Sequence, residues 1–94
     1  MPYLAVLQKV QDYDVWKKVF DAHAPQRRAA GESNYQIFHV DGDRNNFSVL
    51  IEWDSLANAK AWIESDTLRN AMEQAGVRGK PTVMLMNAGE SGKP

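Results

Sequence analysis

The stretch NYQIFHVDGDRNNFSVLIEW, residues 34–53, decides the fold. Its first part alternates: Tyr35, Ile37 and His39 share one face, and Gln36, Phe38 and Val40 the other, as successive side chains of a strand do. Asp41-Gly42 then supplies a turn, because glycine takes positive φ at little steric cost. Phe47–Trp53 resumes the alternation, with Phe47, Val49, Ile51 and Trp53 on one side and Ser48, Leu50 and Glu52 on the other. The two segments read as an antiparallel hairpin.

Towards the N-terminus, residues 2–10 (PYLAVLQKV) form another strand. Tyr3, Ala5 and Leu7 point one way, and Leu4, Val6 and Val10 the other. Both faces are apolar, which suits a strand covered on both sides. Asp12 is a natural N-cap, and Asp14 suits the positive first turn of a helix. At the helical period Val15, Trp16, Val19, Phe20 and Ala22 make one stripe, with Lys17, Lys18 and Asp21 opposite. Pro25 has no N–H, so a kink or restart is expected there, and QRRAA runs on to a capping Gly31.

Towards the C-terminus, Asp54 or Ser55 caps a helix with the stripe Leu56, Ala59 and Ile63. A second stripe, Leu68, Ala71, Met72 and Ala75, does not continue it. Leu68 falls about 140° from Ile63 at 100° per residue. Ser65 is a fresh N-cap candidate, so a break is expected at 64–66, and Gly76 ends the segment. RGKP reads as a loop, residues 82–87 (TVMLMN) as a last strand, and residues 88–94 as a flexible tail.

The order is β-α-β-β-α-β, a ferredoxin-like α+β fold with an antiparallel sheet. Two helices can cover only one face of four strands. The other apolar face needs a partner, and the simplest is a second copy, giving a homodimer. Ninety-four residues and 10.6 kDa make one domain, residues 1–94. Surface scaling gives such a chain about 5,500 Å² of accessible surface. Eleven basic against twelve acidic residues argue against nucleic acid as a partner. No apolar run reaches the ~18 residues of a membrane span, and no secretion signal opens the chain. A cytoplasmic location is the expectation. The absence of cysteine excludes disulfides and thiolate chemistry.

His23 is the leading catalytic candidate. It falls on the Trp16/Val19/Phe20 stripe, so it should face the sheet, where an imidazole can act as general acid or base. The bland alternative is a packing histidine bonded to backbone. Trp16, Trp62, Tyr35 and His39 are candidate substrate-binding residues, because aromatic walls suit a flat ligand. Aromatic side chains equally fill cores and interfaces, and Trp62 only flanks its stripe. His39, at the hairpin end of its strand, reads more simply as an edge residue. Glu52 could act as an acid or base if buried but is expected as a strand-end carboxylate paired with Lys or Arg. Arg27 and Arg28 could hold an anionic substrate near the helix end but are expected as a solvated turn. No metal site is expected, since the two histidines lack a local ligand motif. There is no glycine-rich phosphate loop and no nucleophile elbow.

Three segments, VQDYDVWKKVFDAH, NNFSVLIEWDSLANAKAW and SDTLRNAMEQAG, resemble the dimeric α+β barrel superfamily, and within it small antibiotic-biosynthesis-monooxygenase-like proteins. The resemblance covers roughly residues 2–87. It implies two sheets facing each other across a dimer, and a small-molecule pocket between each sheet and its helices. It also implies cofactor-independent monooxygenases or cyclases of aromatic or polyketide-like substrates, so no cofactor is expected. Haem-degrading relatives place a histidine after the tryptophan, whereas here His39 precedes Trp53 and Trp62. Three readings follow: a cofactor-free enzyme using His23, a binding module without turnover, and a fully packed structural homodimer.

Overall fold

In the computed structural model, which describes residues 1–94, strand β1 (Pro2–Val10) leads into helices α1 (Tyr13–Ala22) and α2 (Ala24–Ala30). The hairpin β2 (Glu32–Val40) and β3 (Asp43–Trp53) follows, then α3 (Leu56–Ile63), α4 (Asp66–Gln74) and β4 (Val77–Asn87). The sheet order is β2-β3-β1-β4, and every neighbouring pair is antiparallel. This is the expected ferredoxin-like arrangement, with each of the two expected helices divided in two.

Local chemistry sets those divisions. The Asp12 side chain accepts from the Asp14 N–H and starts α1. Pro25 stands in the first turn of α2, where its missing N–H costs nothing. Ser55 and Ser65 cap α3 and α4 by accepting from the N–H groups of Asn58 and Leu68, and Ser65 is the restart the broken stripe demanded. Asp41 and Gly42 form the hairpin turn, with Gly42 at φ 80°.

Leu4, Val6, Val10, Phe47, Val49, Ile51 and Trp53 form the helix-facing side of the sheet and are buried. Trp16, Ala59, Trp62 and Ala75 close over them from the helices. Trp62 therefore belongs to the core rather than its margin. Val15 and Leu56, expected on the inner stripes, are exposed. The opposite sheet face is uncovered: Leu7, Phe38, Val40, Met84 and Met86 lie exposed on it. The molecule is a slab of 35 × 34 × 21 Å with 6179 Å² of accessible surface. That exceeds the ~5,500 Å² expected of a closed globule of this mass, as a sheet open on one side requires.

The last strand corrects the reading of RGKP as a loop. β4 begins at Val77, with Val10 paired to Val77 and Lys9 to Arg78. The register then shifts: Leu7 pairs with Thr82, so Gly79, Lys80 and Pro81 bulge opposite Gln8. A β4 edge position tolerates proline, because an edge strand has one side without hydrogen-bond partners, and Gly79 takes φ 66° within the bulge.

Candidate functional site

A cavity of about 60 Å³ lies between the sheet and the helices. Val6, Val49 and Ile51 form its floor, Trp16 and Phe20 one wall, and Trp62 another. Leu68, Ala71 and Met72 of α4 form the roof. A cavity of ~150 Å³ is enough to hold benzene, so a whole ring enters this one only if the roof moves. α4 is placed for that: none of its residues is buried.

Only three lining residues are polar: Gln8, His23 and Arg27. His23 closes the C-terminus of α1, and its Nδ1 lies 2.9 Å from the Val19 carbonyl. A carbonyl only accepts, so Nδ1 carries the proton and Nε2 is the ring's basic nitrogen. The backbone bond thus holds the ring at a defined angle and fixes its tautomer.

Arg27 is 3% exposed, which corrects its reading as part of a solvated turn. Gly31, at φ 120°, reverses the chain between α2 and β2 and brings Glu32 back beside it. Arg27 Nε donates to Glu32 Oε1 at 2.8 Å, and Nη1 donates to the Phe20 carbonyl. The guanidinium also lies 3.6 Å from the centroid of the Phe20 ring. Burial raises the Glu32 carboxyl above its ordinary range, against the opposing pull of Arg27.

The other candidates stand elsewhere. Trp16 and Trp62 line the cavity with His23, whereas Tyr35 and His39 lie on the edge strand β2 outside it. Tyr35 meets the rim of Phe20 edge-on at 4.9 Å. His39 packs against Tyr13 at 4.5 Å, and its Nδ1 bonds the Arg44 carbonyl. His23 and His39 belong to no group of three or more metal-ligating side chains.

Glu52 is on the open sheet face and pairs with hydroxyls rather than with a cation. Tyr3 Oη donates to it at 2.9 Å and Ser33 Oγ at 3.0 Å. The hydrogen bond to Glu52, then its charge, raises the Tyr3 phenol above its ordinary value. A shallow depression of about 230 Å³ opens here, bounded by Tyr3, Gln36, Leu50 and Glu52. It is the roomier hollow but lies on the bare sheet face, and Tyr35, placed outside the helix-covered cavity, borders it together with Asn34.

Gln8 and the pairing of Glu32 with a buried Arg27 are what sequence reasoning missed. Gln8 carried a signal: it occupies the inward slot between Val6 and Val10 on an otherwise apolar strand face.

No protein-family model and no curated protein matches the chain. Solved structures do. An antibiotic biosynthesis monooxygenase superposes with a TM-score of 0.71 at 18% identity, over 96% of this chain and 100% of that one. Rv0793 from Mycobacterium tuberculosis gives 0.67 at 14% identity, over 99% and 100%. SnoaB, a cofactor-independent oxygenase from Streptomyces nogalater, gives 0.74 at 10% identity, over 96% and 93%. This chain therefore has the α+β fold of the antibiotic-biosynthesis-monooxygenase-like proteins.

Proposed function

We propose that this protein is a homodimer that binds a small aromatic or polyketide-like molecule under its helices. His23 is then the acid–base group for a cofactor-independent oxygenation or cyclisation. The observation that carries this reading is His23 itself. It is an imidazole at an apolar, aromatic-walled cavity, with Nδ1 tied to Val19 and Nε2 left as the base. A positioned imidazole that moves a proton in the transition state accelerates a reaction by about 10²–10⁴-fold. In an oxygenation, His23 would take a proton from an activated CH₂ carbon, and the electrons left behind would reduce O₂. The balance is CH₂ + O₂ giving C=O + H₂O. The likeness to SnoaB supports this class. The second copy would cover the apolar sheet face, since contiguous exposed apolar patches mark interfaces.

The test is incubation with phenolic and anthrone-type compounds in air and under argon, following oxygen uptake and product. Wild type should turn over in air, and His23→Ala should lose at least 10²-fold of that rate while still binding. Equal rates in both proteins would remove His23 from the mechanism. Two observations favour the runner-up, a non-catalytic structural homodimer: the cavity is small without movement of α4, and His23 Nδ1 is bonded to backbone. Absence of binding by every compound would select it.

A further inference from the structure

Gln8 is out of place in its surroundings. It shares the helix-facing side of β1 with Leu4, Val6 and Val10, and it is 6% exposed. Its Oε1 has no hydrogen-bond partner in the protein. A buried carbonyl without a partner is destabilising, and native proteins keep few of them. Trp53 Nε1 is likewise unpartnered, but Trp53 is packed outside the cavity, whereas Gln8 lines it. A second observation comes from the backbone. Gln8 is the β1 residue that the β1–β4 pairing skips, opposite the bulge at Gly79–Pro81. Bulges re-aim side chains and recur beside binding sites.

The rest of the lining narrows what Oε1 could meet. Arg27 spends Nε on Glu32 and Nη1 on the Phe20 carbonyl, and His23 spends Nδ1 on Val19. A carbonyl oxygen only accepts, so its complement is a donor. A cationic amine is disfavoured, because the lining holds the Arg27 guanidinium and no carboxylate. Trp16, Phe20 and Trp62 supply aromatic contact around the same space.

We propose that Gln8 Oε1 accepts a hydrogen bond from the hydroxyl of a neutral aromatic ligand. Gln8 is then the residue that selects phenols over hydrocarbons of equal size. This rests on reading the cavity as a ligand site, and it adds a specificity that the fold alone does not imply.

The probes are phenol and toluene, which differ by OH against CH₃ on the same ring. Dissociation constants are measured for both with wild type and Gln8→Met, a near-isosteric change, and with Gln8→Leu should the first variant fold poorly. The ratio of the toluene to the phenol constant cancels each probe's own solubility when compared between proteins. It should fall about tenfold on loss of the amide, the worth of one neutral buried hydrogen bond. Unliganded Gln8→Met should melt no lower than wild type, since the amide makes no bond the fold depends on. An unchanged ratio with both probes still binding overturns the role of Gln8 and leaves the cavity reading standing. A clearly lower melting point also overturns it, by showing that the amide serves the fold. Failure of both probes to bind wild type overturns the cavity reading and this proposal with it.

Discussion

Arg27 Nε and Glu32 Oε1 meet at 2.8 Å with side chains only 4% and 9% exposed, and the same guanidinium borders the cavity. An ion pair this deep is held by its extra contacts, here the Phe20 carbonyl and ring. Breaking one partner of a buried pair leaves the other charge uncompensated, which costs about 3–5 kcal/mol. Arg27→Ala should therefore lower unfolding stability by that order in urea at neutral pH. Glu32→Gln keeps a hydrogen-bond acceptor but leaves the buried guanidinium without its counter-charge, so it should cost a comparable amount. A Glu32→Gln loss close to zero beside a large Arg27→Ala loss would mean that packing, and not charge, is what Arg27 supplies.

Glu32 also sets a pH dependence. Its carboxyl is raised in the folded state, chiefly by burial, so the native protein holds this proton more tightly than the unfolded chain. Its contribution is fully present below the ordinary glutamate range and is lost as pH rises through the raised value. Wild-type stability should carry a declining component over that window, and Glu32→Gln should lack it. Denaturant titrations at half-unit pH steps would show the difference. A component of opposite slope would mean that Arg27 outweighs burial.

Gly31 makes the turn that brings this pair together. At φ 120° it has a conformation that other residues rarely adopt, and an added Cβ would press into the Asp54 carboxylate. That carboxylate is held by Asn58, and the Gly31 carbonyl accepts from the Asp54 N–H. Gly31→Ala should cost at least the ~1–3 kcal/mol of a strained backbone position. Gly42→Ala, with open space around its Cβ, should cost less. Thermal melts of the two variants decide it.

The bare sheet face predicts an assembly. Leu7 sits on β1, a central strand, and is 45% exposed on that face. Native mass spectrometry should find a species of twice 10.6 kDa. Leu7→Lys should convert it to the single chain with the far-ultraviolet circular dichroism unchanged. A wild-type monomer at micromolar concentration would contradict the homodimer.

Much of the fold is legible in residue order because local signals and long-range packing agree. The alternation of residues 35–53, the caps Asp12, Ser55 and Ser65, and the inward stripe of β3 all point the same way as the finished sheet. RGKP misleads because glycine and proline mark loops in isolation, whereas here an edge strand absorbs them in a bulge. Arg27 misleads for a different reason. Two adjacent arginines read as solvated until the turn at Gly31 folds Glu32 back against one of them. His23, Trp16 and Trp62 meet at one cavity because helix period and strand alternation both aim inward. Tyr35 and His39 share that inward face by alternation but sit on β2, at the sheet's edge, where α1 rather than the cavity receives them. Alternation reports which side a residue takes, not how far along the sheet it lies.

The most direct test is a proton–nitrogen correlation spectrum of labelled protein titrated with phenol, read at the three tryptophan indoles. Trp16 and Trp62 line the cavity, whereas Trp53 is fully buried outside it. Binding under the helices predicts that the Trp16 and Trp62 signals shift saturably, together with the amides of α4, while Trp53 moves far less. Saturable shifts confined to the bare face around Tyr3, Leu50 and Glu52, or no shift at all, would contradict a ligand site beneath the helices.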